Sequence, residues 1–401
     1  MVKIKKRKVF STMLYAKYSK MKNKYNNVFE ELEKHRKKDF TFKSGRILGS
    51  MCTQPHFVAE KAYKMFLATN LGDPELFQGT KELEKKYILF LKKLLNAPKN
   101  STGIICSGGT ESNITAIWLA KNLSNKKEVI IPQSAHFSFE KIKTLMNIKL
   151  KTISLTEKYV LNLSELKKKI SNNTLVVVGI AGSTELGTID PIPELSDICY
   201  DQNIFLHIDA AFGGYIIPFL KKLGYNIPDF DFKLKGVSSI SIDAHKMGLA
   251  PIPIGTLMIQ DKNWLKTISV ESHCVSSKTQ SGILGTRSGG PVAGAYAVAE
   301  YLGFNGYKKI IKKCMKNTEY FTKKIKQIGL KTVIEPTLNV VSIKLKKPNL
   351  ISKKLAEQGW RVNTMDRISS IRIVLMPHIT KKNIDDFLPI LEKTCRESDE
   401  I

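Results

Sequence analysis

The chain has 401 residues, with 64 Lys and Arg against 36 Asp and Glu, a formal net charge of +28. An apolar content of 42% excludes a disordered chain and suffices for two or three lobes around a large core. Lysines are spread from Lys3 to Lys393, and no helix-turn-helix, RNP-type or zinc-finger pattern appears. The charge therefore reads as a lysine-rich background that draws in anionic ligands, and the missing motifs argue against a nucleic-acid partner. No apolar run approaches the length of a membrane span. The six cysteines (Cys52, Cys106, Cys199, Cys274, Cys314, Cys395) show no C-x-x-C pairing and no metal-ligand spacing, which suits a reduced cytoplasm and implies no metal. The basic start, Met1 to Lys8, lacks a signal-peptide core, and Met21 is a second candidate initiator.

In chain order, residues up to about Phe42 are lysine-rich with Val28, Leu32 and His35 at helical spacing. A helix is expected from Phe57 to Thr69, broken by Asn70-Leu71-Gly72-Asp73-Pro74. The next begins near Thr80, where Thr80-Lys81-Glu82-Leu83-Glu84 can form caps, and carries Leu83, Tyr87, Phe90 and Leu94 on one face. From Thr102 to Ile259 short apolar strands alternate with helical segments. The strands are expected at 103–106, 129–132, 150–153, 175–179, 205–209, 239–242 and 256–259. Apolar strands bounded by helices indicate an α/β fold with a mostly parallel, seven-stranded sheet covered on both faces. A polar loop, 270–280, is followed by a small-residue helix at 293–302 and a long helix at 307–328. A smaller C-terminal α+β domain follows, with strands at 339–344 and 370–374 and a last helix at 382–397. The expected division is an extension and arm helix (1–45), a large domain (46–304) and a small domain (305–401).

Ligands of open parallel sheets gather beyond the carboxyl ends of the strands. Several chemistry-bearing residues sit there. Ser107-Gly108-Gly109-Thr110 opens a helix and offers backbone N–H groups to a phosphate. His136, between Ala135 and Phe137, presents a flat imidazole. Asp209 closes an apolar strand before the small residues Ala210 and Ala211. A carboxylate about 4 Å from a pyridinium attracts it by about 4 kcal/mol at an effective dielectric near 20, about three pKa units before desolvation is deducted. Lys246 follows His245 past the next strand, with Ile242, Met247 and Leu249 as an apolar shell expected to lower its pKa. Cradle, stacking group, carboxylate and amine in this order are what an enzyme using pyridoxal 5'-phosphate requires. His245 is either a spacer or a phosphate contact, and His207 reads as core.

These residues carry a family resemblance. Gly49-Ser50-Met51-Cys52, Gly79-Thr80-Lys81, Ser107-Gly108-Gly109-Thr110-Glu111, Ala135-His136-Phe137, Thr184-Glu185-Leu186-Gly187-Thr188, Asp209-Ala210-Ala211-Phe212-Gly213-Gly214, Asp243-Ala244-His245-Lys246-Met247-Gly248, Gly285-Thr286-Arg287 and Met376-Pro377-His378 occur in order. The chain resembles the group II pyridoxal-phosphate-dependent amino acid decarboxylases of fold type I. It is most similar to the archaeal L-tyrosine/L-aspartate decarboxylases of methanofuran and coenzyme A biosynthesis. The resemblance spans about residues 21–392. It implies a cytoplasmic homodimer with shared active sites and Lys246 as the internal aldimine. It further implies Asp209 on the pyridine nitrogen, His136 over the ring, and Gly109 and Thr110 on the phosphate. Thr184 would touch the ring hydroxyl or the substrate, Thr286 would reach the neighbouring subunit's phosphate, and Arg372 would hold a substrate carboxylate. Decarboxylation would pass through a quinonoid, with tyrosine slightly favoured over aspartate.

One departure stands out. The loop before Gly285 carries no tyrosine where relatives place a proton donor, and His273 or Cys274 would substitute. Two rivals remain: a carbon–carbon lyase resembling sphingosine-1-phosphate lyase, which shares the Asp-x-His-Lys pattern, and a non-catalytic or nucleic-acid-binding protein keeping the fold.

Overall fold

The computed structural model describes residues 21–22, 24–273 and 279–401. Helix α1 (24–36) is exposed along its length. Helix α2 (Phe57–Met65) ends four residues before its expected limit, and α3 spans Gln78–Leu94. The expected caps at Thr80 do not form, because α3 starts two residues earlier behind Phe77, which makes no side-chain cap. Its buried stripe is Thr80, Glu84, Tyr87, Leu91 and Leu94, with Leu83 and Phe90 on the flanks. Glu84 is tolerated there because Arg287 and Lys81 both pair with it.

The large sheet contains β1 (Thr102–Cys106), β2 (Glu128–Pro132), β3 (Lys149–Ile153), β4 (Thr174–Ile180), β5 (Phe205–Asp209), β6 (Val237–Ile242) and β7 (Gly255–Ile259). Their order is β1-β7-β6-β5-β4-β2-β3, and β7 alone runs antiparallel to its neighbours β1 and β6. The connecting helices include α4 (Gly109–Leu123), α5 (Ser138–Met146), α6 (Leu163–Lys169), α7 (Ile192–Asp201) and α8 (Ile217–Lys222). Strand β4 shows why both faces are covered. Val176, Val178 and Ile180 pack with Ile117 of α4 and Phe139 of α5, while Val177 joins Ile192 and Leu195 of α7. A strand buried on both sides must be apolar at every position rather than alternating.

The expected loop at 270–280 is partly regular: β8 (Ser269–Glu271) and β9 (Thr279–Ser281) pair antiparallel. The two helices expected near 293–302 and 307–328 are joined as α9 (Gly289–Gln327), broken only at Gly303, whose φ of 51° is not helical. The C-terminal sheet has the order β10 (Lys331–Thr332), β11 (Val340–Lys344), β13 (Ser370–Val374), β12 (Asn363–Met365), all antiparallel. Helices α10 (Pro348–Glu357) and α11 (Lys381–Arg396) cover it through Leu355, Phe387 and Leu391. Leu48 packs into this same core, and Leu48 and Gly49 donate backbone hydrogen bonds to Arg361. The segment around 46–49, assigned to the large domain by sequence, thus runs with the small sheet.

Candidate active site

Beyond the carboxyl ends of β1, β2, β4, β5 and β6, a cavity of about 340 Å³ is lined by Gly109, Thr110, His136, Thr184, Asp209, His245 and Lys246, among others. Seven separately expected residues therefore face one space. Each sits there because its strand delivers it to the same edge of the sheet.

The first turn of α4 leaves backbone N–H groups without intrahelical acceptors, directed at the cavity by the helix start. Glu111 accepts from Ser107 N at 2.7 Å and so holds the turn from the far side. The packing is tight here: a Cβ on Gly109 would lie 3.1 Å from both Ala211 Cβ and Asp243 Oδ2. His245 donates from Nδ1 to Ile254 O at 2.6 Å, which leaves Nε2 as the nitrogen free for another partner.

Asp209 is buried, at 8% exposure. Its Oδ1 accepts from Ala211 N at 3.1 Å and its Oδ2 from Asn113 Nδ2 at 2.9 Å. Asn113 is in turn fixed by Ser241 Oγ (2.7 Å) and His207 Nε2 (3.0 Å) at its Oδ1. Burial pushes His207 down to about 4, against a smaller opposing pull from Asp209, so its imidazole is neutral at pH 7. His207 was read as core, and it is fully buried; it also belongs to the support of Asp209. Asn113 was not assigned a role by sequence. The available signal was its place in the first turns of a helix whose start already faced the site.

His136 accepts from Ser138 N at its Nδ1 (3.3 Å), which leaves the proton of the neutral ring on Nε2. Burial lowers its pKa, partly opposed by Asp209. Lys246 differs from expectation. Burial alone lowers its pKa, and is the largest single effect, yet Asp243 and Asp209 together raise it above the ordinary lysine value. The cause is Asp243 Oδ2, 3.1 Å from Nζ, a carboxylate the apolar flanking residues did not reveal.

Three expected residues do not line this cavity. Arg372 is buried, donating from Nη1 to Thr184 O (2.7 Å) and from Nη2 to Gly49 O (2.6 Å). Thr286 is exposed beside Gly72, and His273 is exposed past β8. Cys274 lies outside the described residues.

Pyridoxal phosphate fits these residues. Gly108 and Gly109 keep the cradle open, the carboxylate ends β5 while the amine lies in the turn after β6, and Ser134 Oγ lines the cavity buried and without a hydrogen-bond partner. The strand order and this arrangement define a fold type I pyridoxal-phosphate enzyme. By sequence the chain belongs to the pyridoxal-dependent decarboxylase family, matching its conserved domain over residues 78–346. It is 46% identical over 356 residues to a probable L-tyrosine/L-aspartate decarboxylase of Methanothermobacter thermautotrophicus, covering 88% of this chain and 98% of that one. It is also 46% identical over 371 residues to an L-aspartate/L-glutamate decarboxylase of Pyrococcus horikoshii, covering 91% and 96%. In three dimensions it resembles the sphingosine-1-phosphate lyase of Burkholderia pseudomallei, with a TM-score of 0.86, 24% identity, and 93% and 90% coverage; at that identity the likeness concerns the fold alone. The protein is a pyridoxal-phosphate-dependent amino acid decarboxylase.

Proposed function

We propose that the substrate is L-aspartate, converted to β-alanine, with L-tyrosine to tyramine as the second reading. The convergence of Lys246, Asp209 and the α4 start on one cavity carries the catalytic assignment. Aspartate is preferred because it is the substrate common to the names of both relatives. The two products would feed coenzyme A and methanofuran biosynthesis respectively, in an archaeal cytoplasm.

The cofactor supplies an electron sink for the pair left when carbon dioxide departs. The chain supplies the rest. Lys246 Nζ would be the amine that bonds the cofactor. Asp209, held by Asn113, would keep a proton on the ring nitrogen. The backbone N–H groups of Gly109 and Thr110 would hold the phosphate, with His245 beside them. His136 would stack on the ring with its Nε2 proton available to the substrate, and Thr184 would contact the ring hydroxyl or the substrate. Selecting the carboxyl bond is a matter of orientation.

A second copy of the chain completes the site, contributing Thr286 to the phosphate and His273 or Cys274 as proton donor. The exposure of Thr286 and His273 in the single chain is compatible with such sharing. The expected passage from the large domain (46–304) to the small one (305–401) falls beside the break of α9 at Gly303, while Tyr307, Ile311, Cys314 and Met315 beyond it still pack into the large core. Among the described residues no helix is long and apolar enough to cross a membrane.

The test is a panel of L-aspartate, L-glutamate, L-tyrosine and a phosphorylated long-chain base, assayed with added pyridoxal phosphate. β-Alanine as the main product supports the proposal. Cleavage of the long-chain base alone would favour the lyase reading.

A further inference from the structure

Two carboxylates act on Lys246. Asp209 lies across the cavity at the end of β5. Asp243, just past β6, is only 2% exposed, and its Oδ2 is 3.1 Å from Lys246 Nζ. Both residues belong to one turn, in which Lys246 N donates to Asp243 O at 3.3 Å, so the backbone fixes the pair. The fold makes room for this carboxylate. A Cβ on Gly255 would stand 2.5 Å from Asp243 Oδ1, and one on Gly109 3.1 Å from Oδ2. Oδ1 is buried and has no hydrogen-bond partner. His245 Nε2, at 3.8 Å from Oδ2, is the other cation-forming group beside it. A buried carboxylate so poorly hydrogen-bonded is costly unless a charge compensates it, and Lys246 is the charge within contact.

We propose that Asp243 is the counter-ion of Lys246, holding the free lysine as an ammonium and receiving its proton when the amine bonds the cofactor. This rests on the reading of Lys246 as the cofactor-bonding amine. An ammonium has no lone pair, so bonding first requires loss of one proton. The amine nitrogen then adds to the aldehyde carbon, a C=N bond forms, and the aldehyde oxygen leaves as water. Asp243 Oδ2 is the acceptor in reach for the proton lost first. In reverse, when a substrate amine displaces the lysine, Asp243 captures it as an ammonium and removes it as a competing nucleophile. Asp243 is a positioning residue acting through Lys246. The other titratable groups acting on the lysine are Asp209 from β5, Cys52 from the segment before α2, and His136 from the segment after β2. Asp209 favours the ammonium as Asp243 does, burial raises the Cys52 thiol so that it keeps its proton at neutral pH, and burial lowers the His136 imidazole.

The pairing is tested on the full chain freed of cofactor. Lysines are methylated reductively across a pH series, and the extent at Lys246 is read by peptide mass against exposed lysines of the same sample, such as Lys34 and Lys316. Wild-type Lys246 is expected to need a higher pH than these surface lysines to react. In Asp243→Asn it reacts about tenfold faster than in wild type at the same pH, the equivalent of one pKa unit, while Asp243→Glu keeps the slow profile. A wild-type Lys246 that reacts at the same or lower pH than the surface lysines would overturn the proposal without any variant. So would an unchanged profile in a folded Asp243→Asn protein. Neither result depends on turnover, so each is distinct from a failure of the decarboxylase reading.

Discussion

Asn113 donates to Asp209 Oδ2 at 2.9 Å while its own Oδ1 receives Ser241 Oγ at 2.7 Å and faces His207 Nε2 at 3.0 Å. The amide thus joins the carboxylate to a buried, neutral imidazole whose Nδ1 meets Ser239 Oγ at 2.8 Å. Asp209 is oriented from below by residues of α4, β5 and β6, and Asn113 Nδ2 donates also to Ser138 Oγ at 3.1 Å.

Removing that link frees the carboxylate to rotate and strands the polar atoms beneath it. Asn113→Ala is expected to weaken cofactor retention and kcat by about tenfold each, since one hydrogen bond to a charged group is worth about 1.5–3 kcal/mol. Equilibrium dialysis of pyridoxal phosphate and steady-state kinetics measure both. Wild-type values in the variant would mean that Ala211 N alone suffices to orient Asp209.

Arg372 binds two backbone carbonyls, Thr184 O and Gly49 O, that belong to segments far apart in sequence. Arg372→Met leaves both without these donors and should lower stability by about 2–4 kcal/mol, with a raised KM because Thr184 loosens. Thermal unfolding and KM are the readouts. Full stability with only KM raised would point instead to the substrate-carboxylate role that the resemblance implies.

His273 is the proposed proton donor, because imidazole is the side chain most often used as a general acid near neutral pH. His273→Phe is expected to slow amine release and, in air, to divert product toward aldehyde and ammonia, with dioxygen as the oxidant reduced to peroxide and water hydrolysing the imine. Cys274→Ser should matter less. Unchanged product ratios in both variants would move the role to another residue.

Glu128 is buried with Lys151 Nζ at 2.5 Å, Ser171 Oγ at 2.6 Å and Lys149 Nζ at 3.1 Å, and these pull its carboxyl down to about 2. A depressed folded pKa contributes stability above the ordinary value of 4.5 that is lost as pH falls through about 2. Glu128→Gln should therefore cost about 2 kcal/mol at pH 7. The difference from wild type should vanish on acidification toward pH 2. Urea unfolding at several pH values checks this, and a pH-independent difference would assign the loss to packing.

The large sheet was legible because strands such as 175–180 are apolar throughout, a pattern that only two-sided burial explains. The site was legible because its residues fall just after those strands. Contacts distant in sequence were not. Nothing local marks Asn113 as the partner of Asp209, or Gly49 and Thr184 as the acceptors of Arg372. The charge state of Lys246 was misjudged for a related reason: its neighbours in sequence are apolar, while Asp243 reaches it only because the chain turns there. Leu48 shows the same limit, since the sequence gives no sign that it joins the small sheet's core.

The central claim, that Lys246 is the cofactor-bonding amine of a pyridoxal-phosphate decarboxylase, is tested most directly by reducing the loaded protein with borohydride and mapping the modified peptide. The cofactor mass should be found on the peptide containing Lys246, and Lys246→Ala should retain its fold yet trap no cofactor and form no amine from L-aspartate or L-tyrosine. Stoichiometric trapping on a different lysine, or amine production by pure Lys246→Ala, would contradict the account.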